Sequence, residues 1–479
     1  MTKIFLVNPH SPSFLAVKER NIPLGLLYLS SFLKKSGHQV RFKDIHNDQI
    51  TCEINKTTYS FPHYYDSQIR KIVEEFKPDL VGISVHFSGR FKPAIELAQR
   101  LKKEEPELPV AIGGIHPSIF PREILEEYTC FDYLFQGESE ESLVQLANSF
   151  EDEKYDFRSI DGLGYRENGK IVINDKRNFI DNVDTIPFPD YNLIDLEDYY
   201  FDTSKWVSPK KLPINTNIHI LSSRSCPRQC TYCSMFLALG PKYRMRSADN
   251  VVNEIEYLYN KFNHKYFSFM DDNFTLNKKR AIEICNKIVE RGLNIQFDSP
   301  NGLDVNTLDE ELFEALVAAG LVRTCLAIES GSPEIRRSVN KNLTQKKIYE
   351  VYESIRKFPQ LVFNSFFIVG FPLETKETLE ETYKLIKDLK LSKAIISFAT
   401  PFPGTELYRE CVDNNLIDVD LGEGLHNINK FFYASNTPFI KPYKLKKQDL
   451  IDFRLKIYEE LHMDIHLKAL ELIGEEKQA

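Results

Sequence analysis

The chain has 479 residues, which is too many for one hydrophobic core and predicts two or three domains. Hydrophobic residues make up 42% of the chain and charged residues 27%, so disordered and fibrous proteins are excluded. The net charge of −8 gives no overall attraction to nucleic acid or anionic membranes, and we expect neither as a partner. No apolar run has the ~18 residues that a membrane span needs, and the start lacks a signal-peptide cleavage site. We therefore expect a cytoplasmic protein.

Residues 1–150 alternate between short apolar runs and helical patterns. One helix is predicted to open at Pro23 and to end at Gly37, where start and stop residues belong. The predicted strands are 4–7, 39–42, 80–84, 110–113 and 133–137. Five strands with interleaved helices predict a doubly wound parallel sheet, and a flavodoxin-like strand order is favoured.

Residues 151–215 differ in character from the first 150. Asn168-Gly169 lies between two β-prone runs, which predicts a hairpin. The run Ile186-Pro-Phe-Pro-Asp-Tyr is typical of an extended connector stiffened by proline. We interpret the whole segment as a linker with a β-hairpin.

Residues 216–410 return to the alternation of strands and helices. Strands are predicted near 218–224, 266–271, 295–299, 323–329, 362–369 and 394–399. Six such units, without a seventh or eighth, predict a partial (β/α)6 barrel. Residues 411–479 are predicted to form a mainly helical C-terminal segment, with a long helix from about 446 to 473.

Three of the eight cysteines fall within eight residues, in Cys226-Pro-Arg-Gln-Cys230-Thr-Tyr-Cys233. This loop follows the first predicted barrel strand, and loops at the C-terminal ends of barrel strands build active sites. Structural zinc sites and ordinary iron–sulfur clusters are closed by four ligands. No fourth cysteine is near, and His219 lies seven residues upstream on the predicted strand. Three thiolates suit a [4Fe-4S] cluster with one free iron, and the alternatives are a structural zinc or chance clustering.

The spacing Cys-x3-Cys-x-aromatic-Cys on the first strand of a partial barrel resembles the radical S-adenosylmethionine (SAM) superfamily. The resemblance implies that the amino and carboxylate groups of SAM chelate the free iron. It also implies that an electron from the cluster cleaves SAM to methionine and a 5′-deoxyadenosyl radical. The barrel wall would then shield the radical from water.

The same resemblance assigns SAM-binding residues at successive strand ends. They are Tyr232, Asp271, Asp272, Asn273, Glu329, Ser330 and Gly370. Residues 271–273 would hold the SAM amino group, Glu329 and Ser330 would contact the ribose or methionine, and Gly370 and Tyr232 would border the adenine. Alone, the aspartates could instead cap a helix, Glu329 could form a salt bridge, and Gly370 could form a plain turn.

The first domain carries Gly113-Gly114-Ile-His116-Pro and Gly137-Glu138-Ser-Glu140 after two of its strands. A Gly-Gly pair allows a large ligand to approach the backbone closely. Other strand ends of the same sheet carry Asn8, Ser84 and His86. Open parallel sheets bind ligands beyond the carboxyl ends of their strands, so these residues are predicted to face one crevice.

These motifs, with the proline-rich connector and the cysteine loop, resemble the cobalamin-binding subclass of radical SAM enzymes over about residues 1–410. The subclass includes methyltransferases and the anaerobic oxidative cyclase of chlorophyll synthesis. The resemblance implies cobalamin held between the sheet and the barrel mouth. The implied cobalamin-binding residues are Asn8, Ser84, Gly113, Gly114, His116, Gly137 and Glu138. A turn or capping role is an alternative for His116.

The subclass resemblance has one departure. Cobalamin domains that supply a histidine to cobalt carry Asp-x-His-x-x-Gly. Here Asp44-Ile-His46-Asn-Asp-Gln lacks the glycine and follows the second strand. We therefore predict that His46 is a surface loop residue and that cobalamin is bound without a protein imidazole on its lower face.

The resemblance implies that cobalamin serves as methyl carrier while the SAM-derived radical activates an unactivated centre of a small-molecule or peptide substrate. An electron donor such as flavodoxin or ferredoxin is also implied. The alternative within the same architecture is oxidative cyclisation, rearrangement or other redox chemistry without methyl transfer. A methylthiotransferase is disfavoured because its first domain needs three cysteines, and only Cys52 and Cys130 lie there. A non-enzymatic zinc scaffold is the remaining hypothesis.

Overall fold

The computed structural model describes residues 1–11, 21–54, 59–86, 88–151, 155–199, 218–391, 393–418 and 438–461. The strands are β1 (Lys3–Asn8), β2 (Gln39–Asp44), β3 (Leu80–Ser84), β4 (Val110–Gly113), β5 (Tyr133–Phe135), β6 (Leu163–Glu167), β7 (Lys170–Ile173), β8 (Ile218–Ile220), β9 (Ser223–Arg224), β10 (Arg244–Met245), β11 (Tyr266–Phe269), β12 (Gln296–Leu303), β13 (Leu321–Glu329), β14 (Val362–Val369) and β15 (Ala394–Phe398). The helices are α1 (Leu24–Lys35), α2 (Ile45–Ile54), α3 (Phe61–Tyr64), α4 (Arg70–Phe76), α5 (Phe91–Glu104), α6 (Ile115–Ile119), α7 (Pro121–Glu127), α8 (Glu140–Ser149), α9 (Met235–Leu239), α10 (Ala248–Phe262), α11 (Lys278–Glu290), α12 (Glu310–Ala319), α13 (Pro333–Ser338), α14 (Gln345–Ile355), α15 (Lys376–Asp388), α16 (Glu406–Asp413) and α17 (Lys447–Glu460).

The N-terminal sheet has the strand order β2-β1-β3-β4-β5-β6-β7. Its first five strands are parallel, so the predicted flavodoxin-like order is confirmed. The predicted hairpin forms β6 and β7, with Asn168 and Gly169 at positive φ in the turn. Because β6 pairs antiparallel with β5, the hairpin extends the sheet to Ile173, although we had expected it in the linker.

Apolar side chains cover both faces of this sheet, as expected when parallel strands lie between two layers of helices. On one face Ile4 and Leu6 pack with residues of α1 and α8. On the other face Phe5 and Val7 pack with residues of α4, α5 and α7. The carboxyl ends of the strands are therefore left as the edge at which a ligand can approach.

The second sheet has six parallel strands in the order β15-β14-β13-β12-β11-β8. The predicted partial barrel is therefore confirmed. Side chains such as those of Asn277, Asp309 and Thr375 cap the helices that follow the strands. At the open edge the Tyr458 hydroxyl on α17 lies 3.1 Å from both the Ile396 amide nitrogen, which donates to it, and the Ile396 carbonyl oxygen.

The linker joins the two sheets through one continuous core. Ile22 and Leu27, at the start of the first helix, pack in the same buried cluster as Tyr191 and the barrel residues Ile218 and Val251. The N-terminal domain is thus packed against the barrel through its first helix.

Two linker tyrosines reinforce that packing by binding buried carboxylates on opposite sides. The Tyr191 hydroxyl donates to Glu254 of α10 at 2.8 Å. The Tyr199 hydroxyl donates to Asp44 of the N-terminal sheet at 2.8 Å.

The C-terminal helix α17 covers part of the segment that was predicted to be helical. The remainder of that predicted helix, from 462 to 473, lies outside the described residues. Among the residues that are described, the structure contains no helix of sufficient length and apolarity to cross a bilayer.

Candidate functional site

The cysteine loop is closed at its base by a two-stranded antiparallel ribbon. In this ribbon β9 pairs with β10, so that Arg224 lies opposite Arg244. Cys226 comes two residues after β9, and the short helix α9 begins two residues after Cys233. Ser225 and Gln229 adopt positive φ, which bends the backbone sharply around the first two cysteines. The three thiols are thus held on one tight loop.

The three cysteines are free thiols of intermediate exposure. Burial raises the pKa of Cys226 and Cys230, and it raises that of Cys233 to about 12. The thiols also raise one another's pKa, which places them within electrostatic range of each other. Iron binds thiolates, so cluster binding would displace these protons. Within the described ranges, no three His, Cys, Asp or Glu side chains are close enough to hold a single metal ion.

The two aspartates predicted to bind SAM have different surroundings. Asp271 is buried and accepts hydrogen bonds from Ser222 and Ser223, so it ties the end of β11 to the ribbon. Asp272 is half-buried and lies close enough to Cys226 and Cys233 to raise their pKa. Burial raises the pKa of Asp272 itself to about 6. Of these two aspartates, Asp272 is therefore the one whose carboxylate acts on the cysteines.

Asn273 lies beside the first cysteine. Its Nδ2 is 3.8 Å from Cys226 Sγ and 3.4 Å from Asp304 Oδ2. Its Oδ1 is buried and, within the described part of the chain, has no hydrogen-bond partner. Buried amide oxygens are normally satisfied, so this one marks a position for a donor group of a ligand.

A second charged group lies on the other side of the loop. Glu329 ends β13 with a positive φ of 71° and forms an ion pair with Lys341 at 3.2 Å. Burial raises the pKa of Tyr232, and Glu329 and Cys230 lie close enough to its hydroxyl to raise the pKa further. Lys341 also acts electrostatically on Cys230 and Asp304. Tyr232 and Glu329 thus lie close together, beside a lysine that the sequence had not indicated.

Ser330 and Gly370 are both buried. Ser330 is fully buried, and its Oγ lies 3.3 Å from Thr382 on α15. Gly370 has a φ of +92°, and a Cβ there would lie 2.9 Å from Leu450 of α17. The Gly370 amide donates to the buried Glu374. Both residues shape turns next to the site, so a contact with SAM would have to involve their backbone.

The residues that were predicted to face one crevice at the carboxyl edge of the N-terminal sheet differ in exposure. Ser84 and Gly113 are register partners at the ends of β3 and β4, and both are half-buried. Asn8 is buried, donating to Asp44 at 2.7 Å and accepting from Arg90 at 3.0 Å.

His86 has accessible surface, and desolvation by the surrounding protein, with a smaller effect of the Arg90 charge, lowers its pKa to about 4. It also lies close enough to His219 of β8 to lower that residue's pKa. His86, two residues after β3, is therefore within electrostatic range of β8 of the barrel.

Two of the other residues that were predicted to bind cobalamin make close contacts within the N-terminal domain. Gly114 has a φ of +112°, and a Cβ there would lie 2.5 Å from the Val85 carbonyl oxygen. His116 is buried against Phe91, and its Nδ1 lies 3.0 Å from Ser88 Oγ. Packing inside the domain explains both residues.

The prediction that His46 lies in a surface loop is wrong. His46 lies in the first turn of α2, is 3% exposed, and its Nδ1 lies 3.0 Å from Ser11 Oγ. Because α2 begins directly after β2, the His46 imidazole is buried against the segment that follows β1.

Gly137 and Glu138 contact the barrel domain. A Cβ on Gly137 would lie 2.8 Å from the Ala238 carbonyl oxygen of α9. Both carboxylate oxygens of Glu138 accept hydrogen bonds from Arg244, at 2.6 and 2.7 Å. Glu138 thus forms an ion pair between the domains.

Several charged residues of the site were missed at the sequence level. They are Arg224, Arg228, Arg244, Asp304 and Lys341. Three of them are arginines within 21 residues around the cysteine loop, and this clustering was the available signal. Asp304 and Lys341 lie 71 or more residues after Cys233, the last cysteine of the loop, so only the fold brings them to the loop.

Comparisons with known proteins match both halves of the chain. The profile of the radical SAM superfamily matches residues 220–386, which contain the cysteine loop and most of the barrel. The profile of the B12 binding domain matches residues 14–147, which contain most of the N-terminal sheet. The fold and the cysteine loop thus define the class of the protein as a radical SAM enzyme.

An uncharacterised methyltransferase of Pyrococcus horikoshii is 33% identical over 417 residues, covering 87% of this chain and 84% of that protein. The anaerobic magnesium-protoporphyrin IX monomethyl ester cyclase of Rubrivivax gelatinosus is 27% identical, covering 92% of this chain and 74% of that protein. The chain therefore belongs to the radical SAM enzymes that carry a B12-binding domain.

A solved structure shares the architecture. The radical SAM methyltransferase TsrM from Kitasatospora setae, with cobalamin and a [4Fe-4S] cluster bound, matches with a TM-score of 0.66 at 19% identity. The match covers 86% of this chain and 75% of that one. The family, the fold class and the cofactor set of [4Fe-4S] cluster, SAM and cobalamin predicted from sequence are thus confirmed.

Proposed function

We propose that the protein is a cobalamin-dependent radical SAM methyltransferase that methylates an unactivated centre of a small-molecule or peptide substrate. The observation that carries the proposal is the direct contact between the two cofactor regions. The motif after β5 of the B12-binding domain packs against the helix and ribbon that frame the cysteine loop. When bound, the cluster supplies an electron to SAM and cobalamin carries the methyl group.

In this proposal Cys226, Cys230 and Cys233 bind three irons of the cluster. The free corner would receive SAM, whose amino group would meet the acceptors Asp272 and Asn273 Oδ1. Lys341 is the cation nearest to Cys230 and Glu329, so we assign it to the SAM carboxylate. The remaining SAM-binding residues of this proposal are Tyr232, Glu329, Ser330, Gly370 and, through the ribbon, Asp271.

On the cobalamin side, we assign Ser84, Gly113 and His86, which have accessible surface, to the wall of the proposed cobalamin crevice. The same wall is supported by buried contacts of Asn8 with Asp44, of Gly114 with Val85 and of His116 with Ser88.

The barrel interior is the proposed substrate region. Along the strands, fully buried residues that face the helices alternate with half-buried ones that face inward. The inward set includes Ala327, Phe366, Ile368 and Ile395. This mainly apolar wall supports a substrate with an apolar portion and excludes water from a radical. Flavodoxin or ferredoxin is the proposed electron donor.

The test is an anaerobic turnover assay with SAM, a chemical reductant, hydroxocobalamin and candidate substrates. Methyl transfer by this route yields both S-adenosylhomocysteine and 5′-deoxyadenosine, together with a product heavier by one CH2. One relative is named as a cyclase, so oxidative chemistry is the second candidate. Formation of 5′-deoxyadenosine without S-adenosylhomocysteine would reject the methyltransferase and favour that candidate.

The cluster assignment has its own test. Alanine at Cys226, Cys230 or Cys233 is expected to abolish the iron–sulfur absorption and 5′-deoxyadenosine formation together. Alanine at Cys130, a buried free thiol in the apolar core of the B12-binding domain, is the matched control and should retain both. Retention of the cluster in any of the three variants would contradict the assignment.

A further inference from the structure

We propose that residues 137–140 of the B12-binding domain, here called the docking segment, are positioning residues that fix the cysteine loop relative to the cobalamin crevice. The docking segment does so through buried ion pairs with the two arginines of the ribbon. This inference rests on the proposed function, because it assigns the segment to the spacing of two cofactors. The family resemblance had suggested contact with cobalamin for the same motif.

The ion pairs are short and almost completely shielded from water. Arg244 binds Glu138 through both of its terminal nitrogens, at 2.6 and 2.7 Å, and the two side chains are 1% and 4% exposed. Arg224 binds Glu140 at 2.7 Å and lies 3.3 Å from Glu138, with 11% exposure. Two carboxylates of one domain thus meet two guanidinium groups of the other.

The arginines hold both ends of the cysteine loop. Arg224 precedes Cys226 by two residues and lies opposite Arg244 in the ribbon. Arg244 also donates to the carbonyl of Leu239, at the end of the helix that follows Cys233, at 2.7 Å. A shift of the docking segment would therefore move the entry and the exit of the loop together.

The backbone of the docking segment is shaped for this close contact. Gly137 has a φ of +64°, and a Cβ there would lie 2.8 Å from the Ala238 carbonyl oxygen and 3.3 Å from Lys176. Residues other than glycine rarely adopt this φ, and any side chain would push the domains apart. Close approach at Gly137 brings Glu138 within reach of Arg244.

The chemistry of the pairs favours a positioning role. Taking charges out of water is costly, and a buried pair recovers that cost only in good geometry. Any other docking of the domains would leave buried charges unpaired, so the bidentate Arg244–Glu138 contact favours one arrangement. The consequence is a fixed separation between the cobalamin crevice and the cysteine loop.

The primary test compares Glu138→Gln with Glu141→Gln, an exposed neighbour in the same segment of chain. The holoenzyme would carry a reduced cluster and cob(II)alamin, and pulsed EPR would measure the cobalt–cluster distance distribution. We expect a single narrow distribution for the wild type and Glu141→Gln, and a broadened one for Glu138→Gln. The ratio of S-adenosylhomocysteine to 5′-deoxyadenosine should fall at least tenfold in Glu138→Gln, with 5′-deoxyadenosine within about threefold of wild type.

A second pair of variants separates positioning from charge and from folding. Gly137→Ala inserts a methyl group between the domains, whereas Gly169→Ala has a similar φ of +75° with nothing within 4 Å. Gly137→Ala should reproduce the broadened distribution and Gly169→Ala should not. The proposal is overturned if both docking variants keep the wild-type distance, or if both lose the cluster and all SAM cleavage. Absence of S-adenosylhomocysteine in the wild type would reject the methyltransferase alone, since the distance measurement is independent of turnover.

Discussion

At the scale of single residues, the cysteine loop is surrounded by charges whose balance depends on Lys341. This lysine pairs with Glu329 and acts on Cys230 and Asp304. Arg228 compensates Asp304 from the solvent side, with its Nε 2.8 Å from Asp304 Oδ2. Lys341 is 13% exposed and Arg228 is 40% exposed, so the lysine is the more shielded of the two cations beside Asp304.

Lys341→Met keeps most of the side-chain volume and removes the charge. We expect the cluster to assemble, but SAM should bind at least tenfold more weakly because its carboxylate loses a partner. SAM titration followed by the change in the EPR signal of the reduced cluster measures this. Lys346→Met, at an 87% exposed lysine nearby in the chain, should leave the affinity unchanged. Equal affinity in both variants would contradict the role given to Lys341.

Glu374 introduces a pH dependence of stability. Burial raises its pKa from 4.5 to about 8, so the folded protein retains a proton that the unfolded chain loses. Between about pH 4.5 and pH 8 the unfolded state binds fewer protons, so the free energy of unfolding falls as pH rises. Glu374→Gln should reduce this slope, by up to about 1.4 kcal/mol per pH unit.

Urea unfolding at several pH values measures the slope. Glu377→Gln, at an exposed carboxylate three residues further on, should preserve the wild-type slope between pH 5 and 8. Identical slopes in wild type and Glu374→Gln would show that Glu374 is ionised in the folded state.

At the scale of elements, hydrophobic periodicity predicted the strands of both sheets closely, because buried parallel strands are short continuous apolar runs. The partners of an element were harder to predict. The hairpin at 163–173 was predicted from its Asn-Gly turn, but its pairing with β5 depends on contacts that no local pattern encodes. Likewise, Asp271 and Asp272 are adjacent in sequence, and only the fold shows that one binds the ribbon and the other faces the cysteines.

The edge of the half-barrel gives a prediction for α17. Tyr458→Phe removes the hydroxyl that pairs with the Ile396 amide and carbonyl, which are then left buried without it. We expect a loss of about 1–3 kcal/mol in the free energy of unfolding. Chemical denaturation measures it, with Tyr443→Phe, at a tyrosine that is 51% exposed, as the control within about 0.5 kcal/mol. An unchanged free energy of unfolding in Tyr458→Phe would mean that the hydrogen bonds from α17 to the edge strand β15 do not stabilise the fold.

At the scale of the whole molecule, the two domains share one hydrophobic core, so we expect them to unfold together. Leu27 of the first helix is fully buried among barrel and linker residues. The domain boundaries expected from sequence near 150 and 215 followed changes in composition. They could not reveal a core that crosses those boundaries, because its members are separated by more than 150 residues in the chain.

We therefore expect a single calorimetric unfolding transition, with nearly equal calorimetric and van't Hoff enthalpies. Leu27→Ala should destabilise the whole protein by about 2–5 kcal/mol and shift that transition without splitting it. Val289→Ala, at a valine that is 52% exposed on α11, is the control and should leave the transition nearly in place. Two resolved transitions in the wild type would contradict a shared core.

The pairing of Glu138 and Glu140 with Arg224 and Arg244 also bears on how such proteins can be recombined. Consider a chimera that joins this B12-binding domain to a barrel domain of another protein that lacks the two arginines. It would bury the carboxylates of Glu138 and Glu140 at the domain interface without partners. The two domains are consequently interchangeable only as a matched set, and grafts that carry residues 224–244 along with the B12-binding domain should succeed where simpler fusions fail.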